Sequence, residues 1–338
     1  MQLSIHRVLH SLGRGPWHDQ RVSSPALARR TRPTTAVGAG VLTVILLVLA
    51  LAGCSVRLDS PPPEIPTPDA AESLRAELAQ STEALATMAR AAGDQDSGED
   101  AVSSELLALA DASTAHLEAL GGIWTPPPRP DDPSPTPEPE PSATGEEVLA
   151  ALTEAATQVQ EALTEPVWEP DTATLLASIA LFRDAALVRL ADALGTDAPA
   201  PAEPDGTLPE QLDAATAPLC RTLDALGYAY EIHAARSSGD QRERAVSSAE
   251  QNRALAEQVA VLAGYDGTAD DPRQASYAVG EDLNETIGTW RAQLVPAWLT
   301  LIGPASAEDR GVLLLWARAA AAAAPPPADD AFPGLQTG

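Results

Sequence analysis

Proline limits this chain before any other residue does. It has no backbone N–H and a fixed φ, so it interrupts a helix interior and a central strand alike. The sequence of 338 residues has 31 prolines, and they come in blocks. Five fall in residues 61–68, nine in 125–143, and three in a row at Pro325–Pro327. A further break, "GTDAPAPAEPDG", spans Gly195 to Gly206. Regular structure is confined to what lies between.

Those intervals carry helical periodicity. Leu74, Leu78, Ser81, Leu85 and Met88 recur at spacings of three and four, and Leu106, Leu109, Ser113, His116 and Leu120 repeat the pattern. Asp69 is placed to cap the first of these helices and Gly93 to stop it, and Gly121-Gly122 ends the second. Two more stripes follow the long proline block, Val148 to Leu163 and Leu175 to Leu190. Beyond Gly206 the spacing predicts four helices: Leu208–Ser237 with a kink or break at Pro218, Arg242–Ala263, Asp282–Ile302 kinked at Pro296, and Glu308–Ala324. No stretch alternates with period two. The expected class is all-α. Four helices with one long crossover are the ferritin-like layout, and Tyr265 to Gly280 would serve as that crossover in the C-terminal half. A second four-helix set, crossed by the Pro-rich segment 125–143, precedes it. "HLEALGGIW" and "EQVAVLAGYDG" end the second helix of each set in similar fashion, as an old duplication would leave them.

The start of the chain differs in kind. Residues 1–53 hold six arginines and one acid, although the whole chain carries 48 acidic residues against 21 basic ones, all of the latter arginine. An apolar run from about Val37 to Ala52 follows, as in a secretory signal. Its core, Val41 to Leu51, is short beside the ~20 apolar residues of a membrane span. The run closes on Leu51-Ala52-Gly53-Cys54, which resembles a bacterial lipobox. That resemblance implies cleavage before Cys54 and acylation of its thiol. Two or three acyl chains, at ~0.8 kcal/mol per buried methylene, hold a protein on a bilayer. The alternatives are a signal peptide that merely contains a cysteine and an uncleaved anchor. The expected organisation is a signal peptide (1–53), a Pro-rich tether (54–68), an N-terminal helical region (69–197), a ferritin-like domain (207–324) and a tail (325–338). The expected location is the extracytoplasmic face of the cell membrane.

The segment Leu208–Leu335 resembles an uncharacterised ferritin-like domain found in lipoproteins of actinobacteria. The likeness rests on "GYAYEIHAARSSGD", "DPRQASYAVG", Trp290-Arg291 and "FPGL", with "HLEALGG" in the first half. It implies a fold and a location but no activity. Ferritin-like bundles commonly hold two metal ions between carboxylates and paired Glu-x-x-His motifs. No Glu-x-x-His occurs in this sequence, and Gly311 to Ala324 contains neither acid nor histidine. The expectation is therefore no metal and no other cofactor.

His233 lies on an apolar stripe. Its plain reading is a histidine at the core edge; the sharper one is a ligand for a metal or small molecule, with Glu231 and Tyr230 near it. His116 is weighed in the same way. Cys220 has no partner once Cys54 is acylated and reads as a small buried apolar residue. Trp290, Trp298 and Trp316 form either a packed core or an aromatic ligand pocket. A net charge of −27 argues against nucleic acid. Catalytic triads, phosphate loops and CxxC pairs are absent, so no enzyme is expected. The function expected is binding or scaffolding in the envelope, with an envelope protein or small ligand as partner. The alternative is a metal- or ligand-binding protein or enzyme around His233.

Overall fold

The structure, a computed structural model, describes residues 67–95, 101–125, 142–198, 203–212 and 215–335. The signal peptide and Cys54, most of the tether and most of the long proline block lie outside them. The described residues fold into helices α1 (Ala70–Gln95), α2 (Ala101–Ala119), α3 (Gly145–Leu163), α4 (Pro170–Leu194), α5 (Ala217–Arg236), α6 (Gly239–Leu262), α7 (Leu283–Ala292), α8 (Leu294–Ile302) and α9 (Ala307–Ala323). Among them there is no strand, and the class is all-α. No described helix is long and apolar enough to cross a membrane.

Side chains at the helix ends explain most of these boundaries. Asp69 accepts from the amide of Glu72 at 2.8 Å and opens α1. Thr144 and Glu147 form a capping box at α3. Pro170 occupies the first turn of α4, and Gly195 closes that helix in the left-handed conformation at φ 68°. Two expectations change at prolines. The helix expected from Leu208 begins only at Ala217. Pro218 sits in its first turn, where a missing N–H is harmless, and Leu208 and Leu212 instead pack on the core from non-helical chain. The helix expected over Asp282–Ile302 is divided at Gln293. Pro296 has no N–H to offer the Ala292 carbonyl, so α7 ends there and α8 starts afresh. In addition, α1 runs two residues past Gly93.

Helices α1 and α2 form one hairpin and α3 and α4 another; α1 packs on α3 and α2 on α4. The start of α3 lies at the start of α2 and the end of α4: a Cβ on Gly145 would stand 3.6 Å from Val102 and 3.0 Å from Leu194. The connection that leaves α2 must therefore travel the length of the bundle. Arg75 of α1 fixes its departure by donating to the carbonyls of Leu120 at 2.7 Å and Gly122 at 2.9 Å.

In the C-terminal set, α6 lies along α5 after a two-residue turn, and α7 and α8 pack on α5 as well. Helix α9 folds back on α8, and both rest on α4. One apolar core thus runs from Leu78 and Leu163 through Leu176 and Ile179 to Leu226, Trp298 and Leu313. A second core, around Leu106, Leu152, Phe182 and Leu190, fills α1–α4. Arg310 of α9 ties the sets together, donating to the carbonyls of Glu165, Trp168 and Gly303.

The chain after Pro325–Pro327 is a strap. The Ala331 carbonyl lies 2.6 Å from His116 Nε2 in α2, and the Pro333 carbonyl accepts from Ser178 of α4 at 3.0 Å. Gly334, at φ 81°, lies so close to α8 that a Cβ there would come within 2.7 Å of Leu299. "HLEALGG" and "FPGL", more than two hundred residues apart in sequence, meet at this point.

Candidate functional site

The four residues nominated from the sequence do not assemble into one site. His233 is half-buried near the end of α5, with Nε2 3.1 Å from Gln241 Nε2. Glu231 faces outward and binds Arg253 at 3.0 and 3.2 Å. His116 is fully buried in α2, edge-on to Phe182 and Phe332 at 5.1 and 5.2 Å. A carbonyl can only accept, so Ala331 places the His116 proton on Nε2 and leaves Nδ1 without a partner. Burial pulls this imidazole down to about 4 from 6.5, the Ala331 carbonyl opposes that pull, and the charge of Arg183 adds to it. Tyr230, one residue from Glu231, points elsewhere, into a cleft.

The motifs "GYAYEIHAARSSGD" and "DPRQASYAVG" are brought together beside Asp224, an acid that no sequence pattern singles out. Asp224 is buried in α5 and accepts from Arg253 of α6, from the Gln274 amide at 3.1 Å and from the Tyr277 hydroxyl at 2.7 Å. Arg253 reaches Asp224 and Glu231 only because residue 227 is glycine; a Cβ there would lie 2.7 Å from Arg253 Cγ. Arg273 holds the connecting loop through Asp266 and Asp271, each at 2.6 Å. Burial, with Asp224 adjacent, pushes the Tyr277 hydroxyl well up, so it stays a donor at neutral pH. Both carboxylate oxygens of Asp224 are engaged, and the cluster is a clamp between α5, α6 and the 265–280 loop. Among the described residues no group of three His, Cys, Asp or Glu side chains is arranged to hold a metal ion.

The cleft lies between α6 and α9, with α5 and the α7–α8 region behind it, and has a volume of about 740 Å³. Its apolar wall comes from Leu223, Leu226, Leu294 and Trp298. Trp316 stacks on Trp298 at 5.7 Å and 17° and donates its indole N–H to the Thr207 carbonyl at 2.8 Å. Trp298 lies in the core with Trp316 packed against it, as the packed-core reading expects, and both border the cleft. Trp290 packs instead on Tyr277 at 6.0 Å and does not line the cleft. Arg318, also on the wall, is held by Asp184 of α4 at 2.6 and 3.2 Å. The Tyr230 hydroxyl is buried with no acceptor for its proton, and the Arg291 guanidinium lies 5.4 Å above its ring. Burial raises the Tyr230 hydroxyl and Arg291 works against that shift. Arg291 was visible in the sequence only as the neighbour of a tryptophan.

Cys220 is buried, its thiol donating to the Ala256 carbonyl at 3.4 Å and raised to about 11 by burial, a poor nucleophile. Comparisons with models of known families, with curated proteins and with solved structures found no match to this chain.

Proposed function

We propose that this chain is an exported, acyl-anchored helical protein of the cell envelope. Its role is to bind a small ligand in the α6–α9 cleft, without metal chemistry. The observation that carries the binding role is the cleft: a sizeable cavity lined by tryptophans and leucines that also contains a buried hydroxyl whose proton has no acceptor. The anchor rests on the Leu51–Cys54 lipobox, with the basic start and short apolar run before it.

The ferritin-like layout expected of the C-terminal set draws its support instead from α1–α4, two hairpins whose connection leaves and re-enters at opposite ends of the bundle. In the C-terminal set, α6 has α5 as its main helical neighbour, and the cleft occupies the space that a closed bundle would fill. The centre of α1–α4 also suits a metal-free protein. Arg183 is buried there, donating to the Ala155 carbonyl at 2.7 Å and the Thr82 hydroxyl at 2.8 Å. A fixed guanidinium repels a cation.

Two measurements on the membrane-extracted protein test the proposal. Mass spectrometry of its N-terminal peptide is expected to find a diacylglyceryl group on Cys54, lost in Cys54→Ser. Elemental analysis without chelators is expected to find no stoichiometric transition metal. An unmodified cysteine would refute the anchor, and a bound metal would refute the ligand-only reading.

A further inference from the structure

What the cleft binds can be narrowed by the groups it leaves unmet, granting the reading of it as a ligand site. The Tyr230 hydroxyl belongs to a residue 7% exposed and is itself buried; Arg291 can only donate to its oxygen, so its proton has no acceptor. A buried donor left without an acceptor loses its hydration and gains nothing in return. Arg291 lies over the same ring and makes no ion pair among the described residues, unlike Arg318 on the same wall. Both unmet groups are donors at neutral pH, and one carries a positive charge. They call for an acceptor with negative charge. The surface beside them joins the apolar side chains of Leu255, Trp316 and the α9 alanines to the polar ones of Gln251 and Asn252.

We propose that the cleft takes a small aromatic carboxylic acid, its carboxylate received by Arg291 and the Tyr230 hydroxyl, its rings lying on Leu255, Trp316 and the alanines of α9. Arginine suits a carboxylate because its planar fork presents two parallel N–H groups. An amine would face a like charge at Arg291 and leave the hydroxyl without an acceptor. Two acids, Glu203 and Asp205, stand at the mouth, but both are exposed and Asp205 already accepts from the Thr207 amide at 2.9 Å. Water and salt screen them from the inner end of the cleft. The cavity of about 740 Å³ is roomy for a two-ring acid and falls within the range of about 300–1,000 Å³ usual for small-molecule sites.

Calorimetric titration of the full chain in lipid nanodiscs tests this, with empty nanodiscs as the blank. The probes are 2-naphthoate and its neutral isostere 2-naphthamide. Naphthoate is expected to bind at least about tenfold more tightly, the ratio a charge-assisted contact supplies. Arg291→Gln is expected to weaken naphthoate by at least about tenfold and naphthamide by less, closing the gap between the two probes, with an unchanged helical circular-dichroism spectrum showing that the variant is folded. Tyr230→Phe, which removes one hydrogen bond, is expected to weaken both probes by about threefold to tenfold. If naphthamide binds as tightly as naphthoate, or Arg291→Gln changes nothing, the carboxylate assignment fails and the cleft remains a ligand site. If neither probe binds, both the assignment and the ligand-site reading fall.

Discussion

Arg75, Arg183 and Arg310 direct their guanidinium donors at backbone carbonyls, and for Arg183 and Arg310 no carboxylate takes part. Only arginine has enough donors in a rigid fork to bridge two or three carbonyls at once. Arg183 is the extreme case, a cation 1% exposed with its Nε unbonded, held down to about 10 by burial alone. The folded state therefore bears the cost of burying that charge at every pH below about 10. Arg183→Met keeps most of the volume and removes the charge. It is expected to raise stability by about 1–3 kcal/mol, read as a higher urea midpoint at constant m-value. Loss of stability in that variant would mean that the bonds to Thr82 and Ala155 outweigh desolvation.

Helices meet most tightly where α8 ends on the beginning of α4. A Cβ on Gly303 would stand 2.4 Å from Thr174 Oγ1 and 2.8 Å from the Pro170 carbonyl oxygen. The hydroxyl can rotate away, but the carbonyl belongs to the first turn of α4 and cannot. Gly303→Ala is expected to cost about 1–3 kcal/mol through overpacking, whereas Ala at Gly288, with open space around it, is expected to be harmless or mildly stabilising. Thermal unfolding of the two variants side by side checks this. Such contacts mark the limit of what the sequence discloses. Leucine spacing and capping residues revealed α1 to α4 nearly to their ends, because those signals act within one or two turns. Pro218 and Pro296 were recognised as disruptive, but whether a proline kinks, starts or divides a helix depends on what packs beside it. Asp224, Arg183 and Arg291 stayed hidden for a related reason. Each is a charged residue on a helix, and nothing local tells a solvated one from one turned inward to meet a segment dozens of residues away.

At the scale of the molecule, burial in the core makes His116 sensitive to acid, although the Ala331 carbonyl of the strap works the other way. Its imidazole sits near 4 in the fold and near 6.5 when free, so the unfolded chain gains a proton across that interval and the folded chain does not. This contribution is fully present above pH 6.5 and declines as pH drops toward 4, by on the order of 2–3 kcal/mol at about pH 4.5. His116→Gln keeps a donor for the Ala331 carbonyl but does not titrate. Its urea stability is expected to fall less between neutral pH and pH 4.5 than that of the unaltered protein. Identical pH profiles would show that the carboxylates alone govern acid sensitivity.

Residues 331–334 come after every helix they fasten, so they emerge from the ribosome later than all of those helices. Until they arrive, the ring of His116 and the flank of α8 lack their cover. Under the proposed export, this order delays the seal on the tertiary structure until those residues are made. A stop codon just before the strap would leave all nine described helices encoded and the latch missing.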